Sequence, residues 1–350
     1  MGVAFIFPGQ GSQAVGMGRE LFERFPEARE IFEAADDALG ERLSKLCFEG
    51  PEADLRLTAN SQPAILTVSL AAHAVLEKRV PAPAMAAGHS LGEFSALCAM
   101  GAFGFADAVR TVRARGLFMQ GAVPEGLGAM SAVLGLAPEL CVQLCREAST
   151  GAETVQAANF NEPGQTVISG HSAAVARATL RALALGAKRV LPLPVSAPFH
   201  SALMAEVQPK LRTVLAALPW KAPRVPIVTN VEAQPNADPG RIVELLVEQV
   251  TAPVRWTESV RALRAAGIDR LVELGPGRVL SGLAKRIDRE LTVLNVEDAA
   301  SLDKALSGLG AIPEEGGSAD RRAEAAGPEH SKEEGGSADR RAEPRGGSVP

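Results

Sequence analysis

Residues 84–95, Ala-Met-Ala-Ala-Gly-His-Ser-Leu-Gly-Glu-Phe-Ser, constrain this chain more than any other stretch, because Gly88-His89-Ser90-Leu91-Gly92 directly follows a small, apolar run. The pattern G-x-S-x-G requires a sharp turn from a buried strand into a helix, with a glycine two places from the serine on each side so that backbone can approach closely. Met85, Ala86 and Ala87 suit the end of that strand, and Phe94, Leu97 and Cys98 place an apolar stripe at helical spacing along residues 93–100. Such a turn exposes the Ser90 hydroxyl on a rigid support and aims helix N–H groups towards it, where they stabilise negative charge on an acyl oxygen. A short pattern of this kind also occurs in ordinary Gly-rich turns, so its surroundings decide.

Those surroundings have α/β texture. Residues 3–7 are a short apolar run ended by Pro8-Gly9-Gln10-Gly11-Ser12-Gln13, a central strand followed by a tight loop. Open α/β sheets bind ligands at the carboxyl ends of their strands, which makes the Gln10 backbone amide a candidate oxyanion-hole donor. Residues 17–38 are helical and divided by Pro26, residues 41–60 are loop and short helix, and Ser61-Gln62-Pro63 opens an apolar helix over 64–76. A further helix over 105–120 carries Arg110, Arg113 and Arg115, which by residue type alone are solvated.

From residue 126 the order changes to strand 128–134, helix 138–148, strand 155–159, strand 166–170, helix 172–185 and strand 188–193, with residues 159–164 as a turn. That is the split order of a ferredoxin-like unit. His200 then lies on a loop ahead of a helical run over 202–218, and histidine is the side chain best suited to moving a proton near neutral pH. Strands at 225–230, 270–274 and 291–296 alternate with helices at 239–250, 256–266, 279–287 and 301–309. The predicted architecture is α/β. An α/β-hydrolase-like catalytic subdomain with a parallel sheet spans 1–125 and 195–312, and a ferredoxin-like subdomain is inserted at 126–194. Residues 314–324 recur unchanged at 333–343 with no apolar side chain larger than alanine, so 313–350 is expected to be a disordered repetitive tail.

Composition narrows the function classes. An apolar content of 46% with a formal net charge of -5 fits a globular protein and argues against nucleic acid as the main partner. No segment has the length and continuous apolarity of a membrane span, and residues 1–7 lack the start of a signal peptide, so cytoplasm is the expected location and no membrane partner is expected. Cys47, Cys98, Cys141 and Cys145 form no C-x-x-C pair and suit buried free thiols; neither a metal nor a cofactor is expected.

The elbow, its flanks and the histidine loop together resemble the malonyl-CoA:acyl carrier protein transacylases of bacterial fatty-acid synthesis and the related acyltransferase domains of polyketide synthases. The resemblance is carried by Phe7-Pro8-Gly9-Gln10-Gly11-Ser12-Gln13, Gly88-His89-Ser90-Leu91-Gly92-Glu93, Arg115-Gly116-Leu117-Phe118-Met119-Gln120, Ala158-Asn159-Phe160-Asn161, Pro198-Phe199-His200, residues 249–256 and Glu273-Leu274-Gly275-Pro276-Gly277. It implies that Ser90 is acylated by malonyl-CoA and passes malonate to the phosphopantetheine thiol of holo-acyl carrier protein, with His200 taking the serine proton. It further implies that the backbone carbonyl near Gln249 orients His200, that the backbone amides of Gln10 and Leu91 form the oxyanion hole, and that Arg115 holds the free carboxylate. Phe199 would disfavour a branched methylmalonyl unit, and a monomer is expected. Two rivals stay open on the residues alone: a serine thioesterase or esterase using the same elbow, and a noncatalytic coenzyme A or acyl-carrier binding protein. A hydrolase triad expects an acid between Ser90 and His200, and neither Asp107 nor Glu162 is well placed for it.

Overall fold

In the computed structural model the described residues are 2–195 and 197–310. The repetitive segment expected at 313–350 lies outside them. The chain opens with β1 (Gly2–Phe7), then α1 (Arg19–Arg24), α2 (Pro26–Leu39), α3 (Leu43–Glu49), α4 (Glu52–Arg56) and α5 (Thr58–Glu77). The elbow follows as β2 (Met85–Gly88) and α6 (Leu91–Ala99), and α7 (Phe105–Gln120) completes the first half. Next come β3 (Gly128–Leu134), α8 (Pro138–Ala148), β4 (Val155–Glu162), β5 (Gln165–His171), α9 (Ser172–Ala184) and β6 (Arg189–Pro192). The chain returns through α10 (Val207–Ala216), β7 (Ile227–Val228), β8 (Pro235–Asn236), α11 (Pro239–Gln249), α12 (Trp256–Ala265), β9 (Ile268–Leu274), α13 (Val279–Ile287), β10 (Thr292–Val296) and α14 (Ala299–Leu309).

The larger sheet has the order β10-β9-β1-β2-β7-β8. It is parallel from β10 to β7, as expected, and ends on an antiparallel β8, so the whole is mixed. Side chains of β1 alternate between two cores. Phe5 and Phe7 face the cluster built with α2, α5, α6 and α7, whereas Ala4 and Ile6 face the one built with α12 and α13. A strand covered on both faces needs no polar residue, which is why β1 is an unbroken apolar run.

The second sheet, order β4-β5-β3-β6, is antiparallel throughout, the ferredoxin-like arrangement that the element order predicted. One face packs Val133, Val155 and Ile168 against Cys141, Leu144, Val175 and Ala178 of α8 and α9. From the other face Met130, Ala132, Ala158 and Val167 join the main core, so the insertion is seated on the larger layer by its own apolar face.

Several sequence expectations are corrected. Helix α5 begins at Thr58, a turn before Ser61, and carries Pro63 inside it. The Asn60 and Ser61 N–H groups already bond to Leu57 O at 2.9 and 2.8 Å, so the proline removes one bond from an established helix. Residues 159–164 are not a turn as far as Glu162. Phe160 N–H donates to Val254 O and Val254 N–H to Ala158 O, and this pairing holds turn-type residues extended in β4. The strand expected at 225–230 is confined to Ile227–Val228, because Asn230 is diverted into the elbow. The run at 202–218 splits into a 3-10 turn and α10, and residues 41–60 hold two helices, not one.

Candidate active site

Ser90 sits between β2 and α6 with φ 52 and ψ -104, a backbone conformation that a non-glycine residue adopts only under constraint. The constraint is steric and polar. A Cβ on Gly88 would lie 1.9 Å from the Gly92 carbonyl, and one on Gly92 would lie 2.0 Å from Phe7 O, so both positions require glycine. Ser90 N–H donates to Asn230 Oδ1 at 2.7 Å, and Asn230 Nδ2 donates to Gly88 O at 2.6 Å. One asparagine, just past the end of the neighbouring strand β7, thus pins both limbs of the turn.

His200, also at positive φ, approaches from the loop before α10. Its Nε2 is 2.8 Å from Ser90 Oγ, and its Nδ1 is 2.8 Å from the backbone oxygen of Gln249 at the end of α11. A carbonyl only accepts, so Nδ1 carries the proton and Nε2 is left to accept the serine O–H. Burial and then the Arg115 charge push the imidazole pKa down to about 3, so it is a neutral base at neutral pH. The loop is held by Gln156 of β4, whose Nε2 donates to His200 O and Thr251 O and whose Oε1 accepts from Ala202 N–H.

Arg115 is fully buried, contrary to the solvated default for its residue type. Helix α7 crosses the first turn of α5 so closely that a Cβ on Gly116 would fall 2.7 Å from Thr58 O, which brings the Arg115 guanidinium against Gln62. Its Nη1 donates to Gln62 Oε1 at 2.8 Å; Nη2 donates to Gln249 Oε1 at 2.8 Å and to Ser90 Oγ at 3.1 Å. Its Nε–H is buried without a partner, and among the described residues no carboxylate forms an ion pair with it. Burial lowers its pKa to about 10, which leaves it a cation. A buried cation with a spare donor, contacting the nucleophile, is a site for an anion.

Glu93 is the carboxyl whose charge acts on Arg115. It is buried, and burial pushes its carboxyl up to about 7 against the hydrogen bonds from Asn230 and Gln249 that favour the charged form. The cavity above Ser90 encloses about 330 Å³; Gln10, His89, Ser90, Met130, Phe199 and His200 are among its lining residues. The Gln10 loop abuts the elbow, since a Cβ on Gly9 would lie 2.5 Å from His89 O. Leu91 opens α6, so its N–H is among the first-turn groups that have no acceptor within the helix.

The sequence-predicted residues therefore converge. Ser90, His200, Arg115 and Gln249 are joined by direct hydrogen bonds, Gln10 and Phe199 line the same cavity, and Leu91 adjoins Ser90. Reasoning from sequence missed Glu93, Gln62, Asn230, Gln156 and the side chain of Gln249. Glu93 had a readable signal as the sole charged residue of α6, and Gln62 another as a polar residue within an apolar helix. Asn230 and Gln156 had none, because their partners lie far away in the chain.

Residues 4–309 match the acyl transferase domain family. The chain is 47% identical over 307 residues to the malonyl CoA-acyl carrier protein transacylase of Bacillus subtilis, covering 88% of this chain and 97% of that one. Among solved structures it is similar to the acyl-carrier-protein S-malonyltransferase of Bartonella henselae, at 47% identity with a TM-score of 0.86, covering 89% of this chain and all of that one. A malonyl-transacylase in complex with its type II PKS acyl-carrier protein also has a TM-score of 0.86, at 45% identity over 88% of this chain and 100% of that one. With Ser90, His200 and Arg115 assembled on that fold, the chain belongs to the acyl transferase family and, within it, to the malonyl CoA-acyl carrier protein transacylases.

Proposed function

We infer that the protein transfers malonyl from malonyl-CoA to the phosphopantetheine thiol of acyl carrier protein through an ester on Ser90. In the first half-reaction Ser90 Oγ attacks the thioester carbonyl while His200 Nε2 takes the hydroxyl proton. The tetrahedral oxyanion lies against the backbone N–H groups of Gln10 and Leu91. The C–S bond then breaks, and the proton on His200 passes to the departing coenzyme A sulfur. In the second half the carrier thiol gives its proton to the same nitrogen and attacks the ester, and the proton returns to Ser90 Oγ. One site serves both halves in turn, which is a ping-pong scheme.

Arg115 takes the free malonyl carboxylate, and Phe199 narrows the cavity against a branched acyl group. What supports the reading most is the chain of contacts from Gln249 O through His200 to Ser90, with a buried cation touching the same hydroxyl. Ser90, His200, Arg115 and the Gln249 carbonyl all belong to this chain and meet in one site, which supports a monomer as the working unit. No described helix is long and apolar enough to cross a membrane, and four buried free thiols suit a reducing compartment, which supports a cytoplasmic location.

Intact-mass measurement with malonyl-CoA tests the scheme. A malonyl adduct is expected on the parent and not on Ser90→Ala, with discharge of the adduct on adding holo-acyl carrier protein. Release of free malonate at a rate indifferent to the carrier would point to hydrolysis instead.

A further inference from the structure

Glu93 is buried, is the sole charged residue of α6, and takes no part in the proton transfers above. Its Oε2 accepts from Asn230 N–H at 3.0 Å and from Gln249 Nε2 at 2.8 Å. The Gln249 amide thus lies between two groups of opposite demand, since a carboxylate accepts and a guanidinium only donates. Its NH2 faces Glu93 and also reaches Ser90 O at 3.2 Å, while its oxygen faces Arg115 Nη2 at 2.8 Å. Turned over, the amide would set N–H against N–H at Arg115 and oxygen against oxygen at Glu93. The chemistry of the two neighbours therefore settles its orientation.

We propose that Glu93 is a positioning residue for acyl discrimination: by fixing the side chain of Gln249 it holds the Arg115 guanidinium where a free carboxylate meets it. The inference rests on Arg115 being the carboxylate-binding group proposed above. It does not run through His200, whose imidazole is oriented by the backbone carbonyl of Gln249 at the end of α11, a group that needs no support from the side chain. Loss of Glu93 therefore reaches malonyl transfer through the guanidinium, beyond an effect through Asn230 at the elbow that falls on both donors alike.

The test compares kcat/KM for malonyl-CoA and acetyl-CoA, with holo-acyl carrier protein as acceptor, in Glu93→Ala, Glu93→Gln, Gln249→Leu and Arg115→Ala. Glu93→Ala is expected to lower the malonyl-to-acetyl ratio roughly tenfold or more, chiefly through KM for malonyl-CoA. Glu93→Gln, whose amide oxygen still accepts both hydrogen bonds, is expected to bring the ratio back to within about threefold of the parent. Gln249→Leu keeps the backbone carbonyl and is expected to lower the ratio as Glu93→Ala does. Equal losses on both donors in Glu93→Ala overturn the proposal, as does a Glu93→Gln ratio no better than that of the alanine variant. An unchanged ratio in Gln249→Leu also overturns it, even if Glu93→Ala fails to fold. Arg115→Ala separates the two ideas. An unchanged ratio there rejects Arg115 as the carboxylate group, whereas a collapsed ratio there beside unchanged ratios in the Glu93 and Gln249 variants rejects only the role of Glu93.

Discussion

A cation buried beside a nucleophile has two consequences that act on different atoms. Arg115 offers a charged contact that a neutral acyl group leaves unpaired, so Arg115→Ala should weaken malonyl transfer by on the order of 3 kcal/mol in transition-state binding and acetyl transfer by much less. Steady-state kcat/KM on the two donors measures the difference. The same charge, together with burial, keeps His200 neutral down to about pH 3. Its basicity is therefore present throughout the usual working range, and acetyl transfer at saturation should not fall as the pH is lowered from 8 to 6. A decline centred on the ordinary histidine value of 6.5 would contradict this assignment. Stability carries the matching sign. The unfolded chain takes up a proton on this ring near 6.5 and the folded chain only near 3, so this contribution is complete above pH 6.5 and is lost as the pH falls from there towards 3.

Among the elements, the strand-turn-helix at residues 85–99 tolerates least change. Its two glycines lie where any side chain would overlap backbone that cannot move away, unlike a clash with the end of a flexible side chain. Gly92→Ala is expected to cost at least about 3 kcal/mol or to abolish folding, read from the denaturant midpoint. The crossing of α5 and α7 is a second close approach, at Gly116. Gly116→Ala should cost about 1–3 kcal/mol by overpacking and, by pushing α7 outward, reduce malonyl transfer more than acetyl transfer. Calorimetry with the same pair of assays checks both halves of that statement.

Over the whole molecule, the antiparallel sheet serves as more than a lid, because β4 reaches back into the larger layer. Gln156 holds the His200 loop, and His89 Nε2 lies 2.9 Å from Asn161 Oδ1 across the same junction. Gln156→Leu removes two hydrogen bonds from the loop that carries the base, and a third that ties it to Thr251 O after α11, without touching Arg115. Its expected effect is a roughly tenfold lower kcat on malonyl and acetyl donors alike, from a loss of about 1–2 kcal/mol in positioning. A selective loss on malonyl would place Gln156 in the carboxylate pocket instead.

How much of this was legible in the amino-acid order follows from the range of each interaction. The strand before Ser90, the two glycines of its turn, the apolar faces of α6 and α7 and the alternation that builds the four-stranded sheet depend on steric rules and periodicities within a few residues. Those rules act identically in any context, so the elements, their sequence and the nucleophile could be read directly. Residue type and place in the chain also marked His200 as a base; the family resemblance extended this to Arg115 and Gln249, and the assembly of the three is implied by no local rule. Burial of Arg115, the start of α5, the extended path through Asn159–Glu162 in β4 and the place of Glu93 depended on partners from distant segments, with 156 residues separating Glu93 from Gln249. A polar side chain carries no mark of which buried group it will meet; that is settled only when packing excludes water and each donor must find an acceptor within about 3 Å.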